Sequence, residues 1–218
     1  METRRVIVKE LGRQDYDVAL AAMQAFTSAR GESTADEFWM LEHPPIFTLG
    51  RGGRSEHLLE PGEIPVIRSD RGGQVTYHGP GQLILYTLTD VARLQLGIRA
   101  FVSVLEEATI RLLADYGITA AARKDAPGVY VDNRKIASLG LRLRKGRSYH
   151  GLSLNVDMDL EPFSRIDPCG YAGLEVTQLR DLGGPTDIRT VGRALCRHLA
   201  DGLKYDTIDY PTTAGAAP

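Results

Sequence analysis

Apolar and polar positions alternate at the start of the chain. Arg4 to Leu11 puts Val6 and Val8 on one side and predicts a first strand. The period then lengthens. From Asp15, a candidate cap, to about Ala29, positions Val18, Ala22, Met23 and Phe26 share a helical face, and Gly31 fits the stop. Strands are predicted at Glu37–Leu41, Ile46–Leu49, Ile64–Arg68, Gln74–Tyr77 and Gln82–Leu88, with His43-Pro44-Pro45 and Asp70-Arg71-Gly72-Gly73 as breaks. Ile98 to Tyr116 is the clearest helix, with Phe101, Leu105, Ala108, Leu112 and Tyr116 along one side and Gly117 at its end. Gly128–Val131, Lys135–Leu143 and Ser148–Val156 then read as an antiparallel meander turning at Asp132-Asn133 and Lys145-Gly146. A last helix spans about Asp187 to Leu203. Helices interleaved with hairpins predict an α/β fold of the α+β type, with mixed, largely antiparallel sheets flanked by helices.

The 218 residues suit one compact domain, placed at 1–210, with 211–218 as a disordered tail of Pro, Thr, Ala and Gly. Lys plus Arg is 26 and Asp plus Glu is 28, a net charge of −2 that excludes an overall basic nucleic-acid binder but not a local basic patch. No apolar run is long enough for a membrane-spanning helix. Met1-Glu2-Thr3-Arg4-Arg5 leads into no apolar signal region, and two cysteines cannot form a disulfide framework, so a reducing cytoplasm is expected.

Cys169 lies in Asp167-Pro168-Cys169-Gly170-Tyr171, a turn with little bulk beside the thiol. Such a site suits a reachable nucleophile, which needs a cation or base nearby because a free thiol has a pKa of about 8.5. It equally suits a small buried hydrophobe. Cys196 falls on the apolar stripe Ile188, Val191, Leu195 and Leu199 and reads as core. Lys135 opens a strand whose centre, Ser138-Leu139-Gly140, is matched by His150-Gly151-Leu152-Ser153. A strand lysine ordinarily faces solvent. Small residues in two neighbouring strands, however, leave room for a ligand and look like a binding floor. Arg71 to Gly81 holds four glycines in eleven residues. It lacks the spacing of a phosphate loop and reads either as a hairpin with two turns or as a close-approach wall. The five histidines form no paired metal motif, so no metal site is expected. Arg142, Arg144, Lys145 and Arg147 make a basic hairpin tip, either merely solvated or a docking patch.

Arg71–Gly81, Lys135–Gly140, Tyr149–Asp159 and Asp167–Thr177, with His43–Gly50, together resemble the lipoyl(octanoyl) transferase family, over about residues 4–205. The resemblance implies the fold of lipoate and biotin protein ligase catalytic domains. It implies Cys169 as acyl-thioester nucleophile and Lys135 as its partner. It implies a substrate pocket from Arg71, Gly72, Gly73, Gln74, Val75, Thr76, Tyr77 and His78, from Ser138, Leu139 and Gly140, and from Gly151, Leu152 and Ser153. Asp167 stands where that family carries Asn. A carboxylate there would raise the cysteine pKa by repulsion unless it turned away or found a cation.

The implied reaction transfers an octanoyl group from octanoyl-acyl carrier protein to lysine ε-amines. The acceptors are lipoyl domains of 2-oxo acid dehydrogenase complexes and the glycine cleavage H protein. It needs no cofactor, and neither nucleic acid nor membrane is a partner. Lys135 would assist either as an ammonium that lowers the thiol pKa or as a base. An ATP-dependent ligase and a non-catalytic carrier-protein binder are the rivals.

Overall fold

The computed structural model describes residues 3–124, 126–167 and 173–211 of the chain. Its strands are β1 (Arg5–Arg13), β2 (Asp36–Glu42), β3 (Ile46–Leu49), β4 (Val66–Arg68), β5 (Val75–His78), β6 (Gln82–Leu88), β7 (Ala121–Ala122), β8 (Val129–Val131), β9 (Arg134–Arg144), β10 (Arg147–Asn155) and β11 (Thr207–Asp209). The helices are α1 (Tyr16–Ala29), α2 (Ile98–Asp115) and α3 (Ile188–Leu203). A large sheet runs β11-β1-β2-β6-β10-β9-β8-β7, and a small one runs β4-β3-β5. In the large sheet only β1–β11 and β1–β2 are parallel. From β2 through β7 every pairing is antiparallel. The mixed, largely antiparallel architecture expected from the pattern is what forms.

Strand alternation sorts the large sheet into two faces. One carries Val8, Phe38, Met40, Leu83, Leu85, Leu152 and Leu154 against Phe101, Leu105 and Leu112 of α2 and Val191, Leu195 and Leu199 of α3. Cys196 is buried in this layer, where burial pushes its thiol pKa far up, as expected of a core cysteine. The other face carries Trp39, Leu41, Ile84, Tyr86 and Tyr149 against α1. The small sheet has its own cluster, in which Phe47, Val75 and Tyr77 meet Met158, Phe163 and Ile166.

Three local expectations change. The buried side of α1 is Tyr16, Ala19, Met23 and Thr27, and Val18, placed inward by the pattern, is 55% exposed. Alanine-rich helices offer several comparable faces, and α1 sits with Ala19 toward the sheet. Asp15 makes no side-chain cap, and α1 stops before an extended Arg30 rather than at Gly31. Asp187, in contrast, caps α3 by accepting from Thr190 N–H. Past the last helix, Thr207–Asp209 forms a strand that residue order does not mark.

Candidate active site

The glycine-containing segment after β4 folds back on the sheet through its backbone. Gly72 N–H donates to Leu141 O at 2.8 Å, which fastens the small sheet to β9. The Arg71 guanidinium holds the loop from inside, donating to Thr48 O (2.7 Å), Thr48 Oγ1 (2.8 Å), Gln74 O (2.8 Å) and Gly72 O (3.0 Å). Opposite the loop, Gly140 pairs with Gly151 and Ser138 with Ser153. A Cβ on Gly151 would stand 2.0 Å from Leu85 O, so only glycine lets β10 lie this close to β6.

Between loop and sheet lies a cavity that is open to solvent. It is lined by Arg71, Gly73, Gln74, Val75, Thr76 and His78, by Ser138, Leu139 and Gly140, and by Gly151, Leu152 and Ser153. Gly72 and Tyr77 fall outside the lining. Gly72 is the fastener to β9, and Tyr77 turns to Phe47 and Phe163 in the small sheet. Leu152 and Leu139 send their side chains into the helix-side core, so strand backbone is what they present to the cavity.

Lys135 is 2% exposed, contrary to the ordinary expectation for a strand lysine. Between β8 and β9 the register shifts, so that Val129 pairs with Ala137 but Tyr130 with Lys135. Ile136 and Ala137 both enter the helix-side core, and this break in alternation brings Lys135 out on the face of Ser138. Its Nζ lies 5.4 Å from the centre of the Tyr130 ring. Its backbone also carries a second segment: Lys135 N–H donates to Glu175 O at 2.8 Å, and Thr177 N–H donates to Lys135 O at 2.9 Å. Cys169 lies outside the described residues. On the described side before it, Asp167 N–H donates to His57 O at 2.9 Å.

The cavity ends in a polar layer in which His78 and His150 belong to quoted motifs and Tyr16 and Tyr86 do not. Tyr16, Tyr86 and His150 also line it. His150 has a left-handed backbone (φ 59°), a conformation costing about 1–3 kcal/mol in a non-glycine residue. It turns the ring off the helix-side face onto Tyr149 and Tyr86. There His150 Nε2 donates to Asp70 at 2.8 Å, Gln24 donates to Asp70 at 3.2 Å, and Tyr149 donates to it as well. These donors, His150 first, hold the Asp70 carboxyl far below the usual range. His43 bonds Gln14 O and the Tyr86 hydroxyl, each at 2.6 Å.

Burial keeps His43, His78 and His150 neutral, pulling His43 down to about 4 and the others below the ordinary histidine value. A histidine with a folded pKa below its unfolded value of about 6.5 binds its proton more readily once unfolded. Its contribution is therefore complete above about 6.5 and lost as pH falls toward 4. Between pH 5 and 7.5 Asp70 is ionised in both states and adds almost no slope. Urea unfolding should show the protein less stable at pH 5 than at pH 7.5, by about 2 kcal/mol from His43 alone. Equal stability at the two values would contradict neutral burial of this cluster.

The mixed sheet thus carries a glycine-walled cavity, and Lys135 is buried on the strand whose Ser138 and Gly140 line it. Residues 15–200 match the family model of the lipoyl protein ligase A/B catalytic domain. The octanoyltransferase of Stutzerimonas stutzeri is 61% identical over 205 residues, 94% of each chain. That of Pseudomonas entomophila is 60% identical, covering 91% of this chain and 92% of its own. Lipoate-protein ligase A bound with ATP superposes with a TM-score of 0.77 over 96% of this chain and 88% of its own, at 18% identity. The biotin protein ligase of Aquifex aeolicus gives 0.54 over 94% and 70%, at 14% identity. The two structures share the fold. The chain belongs to the lipoyl protein ligase A/B catalytic domain family, and within it to the octanoyltransferases. Their chemistry is acyl transfer.

Proposed function

We propose that the protein moves an octanoyl group from octanoyl-acyl carrier protein to a lysine ε-amine of a lipoyl domain, the first step of lipoate biosynthesis, through a thioester on Cys169. The carrying observation is Lys135, buried on the strand whose Ser138 and Gly140 line the cavity, with its backbone tied to Glu175 and Thr177 and with Asp167 tied to His57. Those ties hold the chain on both sides of Cys169. Glycine-faced strands and loop backbone make a wall suited to an unbranched alkyl chain, which needs space and apolar surface. Lys135 then assists formation of the Cys169 thiolate. The thiolate attacks the carrier thioester, and the carrier leaves as a thiol. The acceptor amine next displaces Cys169, forming an amide. Thioester for thioester is near balance and thioester to amide is downhill, so no ATP is required. Splitting the reaction spares the enzyme from holding two protein substrates at once.

The test is intact mass after mixing with octanoyl-acyl carrier protein alone. The parent should gain one octanoyl group, removable by hydroxylamine, and Cys169→Ala should gain none. Labelling that requires ATP would instead support the ligase chemistry of the structural relatives.

The donor's acidic carrier domain calls for a basic landing surface. The hairpin tip supplies part of one. Arg147 is committed inward, to Asp90 at 3.4 Å and Arg30 O at 2.6 Å, whereas Arg144 is exposed and donates to the Ser28 hydroxyl at 3.2 Å. Arg144→Glu with Lys145→Glu should raise the apparent KM for octanoyl-acyl carrier protein several-fold at low salt and flatten its salt dependence. An unchanged KM would remove this surface from docking.

A further inference from the structure

The cavity closes at one level of the sheet. On the α1 face, Ser138 pairs with Ser153 and Ser153 with Ile84; in the next row Gly140 pairs with Gly151 and Gly151 with Tyr86. Four small residues therefore make a trench two strands wide, walled along β6 by Ile84 and Tyr86. One residue beyond the glycines, Leu141 pairs with His150. Two bonds bring the glycine loop down onto the floor at that level. Gly72 N–H donates to Leu141 O at 2.8 Å, and His150 Nε2 donates to Asp70 at 2.8 Å. Regular alternation would turn His150 to the helix side of the sheet. Its left-handed backbone puts the ring on the trench side instead, where it is buried and lines the cavity. Tyr149 stacks on the ring at 5.1 Å, and Tyr86 meets it edge-on at 5.9 Å. Tyr86 is in turn fixed by its hydroxyl, 2.6 Å from His43 Nε2.

We propose that the His150 ring is the stop against which the methyl end of the acyl chain rests, so that His150 sets the chain length the protein transfers. This rests on the octanoyl-transfer reading given above. On that reading the reactive end lies toward Lys135, which precedes the serine row on β9, and the methyl points to His150. From Ser138 to Leu141, opposite His150, the strand advances about 10 Å. An extended octanoyl chain spans about 9 Å from carbonyl carbon to methyl, at about 1.25 Å per bond. A hexanoyl chain leaves part of the trench unfilled, and a decanoyl chain runs into the ring. A leucine or methionine at the end could change rotamer and admit the longer chain. A ring bonded to Asp70 and packed between Tyr149 and Tyr86 keeps its place. The strained backbone at His150 thus has a purpose: it moves a side chain out of the helix-side core and into the path of the substrate.

Competition between donors reads the stop directly. The protein receives an equimolar mixture of hexanoyl-, octanoyl-, decanoyl- and dodecanoyl-acyl carrier protein with a lipoyl domain, and the acylated domains are resolved by mass. The parent should transfer octanoyl in preference to decanoyl. His150→Gly suits the left-handed backbone and removes the ring. Its decanoyl-to-octanoyl ratio should rise about tenfold, since each further methylene buried is worth about fourfold. If His150→Gly fails to fold, Asp70→Ala is measured. It releases the ring's edge without removing the ring, and the ratio should rise several-fold. A folded variant that loses turnover equally for every chain length overturns the proposal, because that is what loss of a merely structural ring produces. So does a parent that transfers decanoyl as readily as octanoyl. A parent that acylates no lipoyl domain from any of the donors sinks the octanoyl-transfer reading, and the stop with it. A parent that transfers octanoyl, beside a variant with an unchanged ratio, sinks the stop alone.

Discussion

Lys135→Met should lower turnover by about 10³-fold in a protein that still folds. The Lys135 Nζ lies 5.4 Å from the centre of the Tyr130 ring. Methionine fills nearly the same volume, so the packing around the site changes little. Thermal unfolding and single-turnover kinetics together check the claim. A variant that folds normally and retains more than a tenth of parental turnover would remove Lys135 from the chemistry. Gly128→Ala gives a graded version of the same result. Its backbone sits at φ 143°, and a Cβ there would stand 2.6 Å from Lys135 Cε. The lysine is then displaced rather than removed, so turnover should fall less, while the same Cβ, 2.7 Å from Ala137 O, should cost stability as well.

The second large effect concerns the frame. Asp36 accepts from the Arg30 guanidinium, from Arg93 at 2.8 Å, from Asp90 N–H at 2.8 Å and from the Tyr205 hydroxyl at 2.7 Å. It ties the end of α1, the exit of β6 and the end of α3 to β2. The Arg30 side chain is 0% exposed. Asp36→Ala strands that charge and should cost about 3–5 kcal/mol by urea unfolding. The double variant Arg30→Met, Asp36→Leu should regain much of the loss, since no unpaired charge stays behind. A single-variant cost below about 1 kcal/mol would show that Arg30 finds other partners.

Much of this was legible in residue order. Ile46–Leu49 and Gln82–Leu88 have the predicted boundaries, because each is a short apolar run bounded by turn residues. The α2 stripe is strongly periodic, and Phe101, Leu105, Ala108 and Leu112 are buried as read. Asp132-Asn133 and Lys145-Gly146 turn as expected, with all four residues at positive φ. Residues from three of the motifs, Arg71–Gly81, Lys135–Gly140 and Tyr149–Asp159, line one cavity. What stayed hidden depends on departures from period. The register shift that turns Lys135 toward Ser138 has no signature in composition, nor does the backbone inversion at His150. Asp70, Tyr16, Tyr86 and His43 come from distant segments and belong to no spacing rule. They meet only because the small sheet folds over the large one. Thr207–Asp209 is too short to stand out, and it is a strand only because β1 offers an edge.

That edge has a consequence for how the protein is made. β1 is completed within the first 13 residues, yet its outer neighbour is Thr207–Asp209. During synthesis, until the chain beyond α3 has emerged, the backbone of β1 on that side lacks Thr207–Asp209. An exposed strand edge invites pairing with another chain. Arg5, Lys9 and Arg13 along β1 are cationic, and like charges on two such edges repel. The strand that waits longest for its partner is thus also one that discourages pairing with copies of itself.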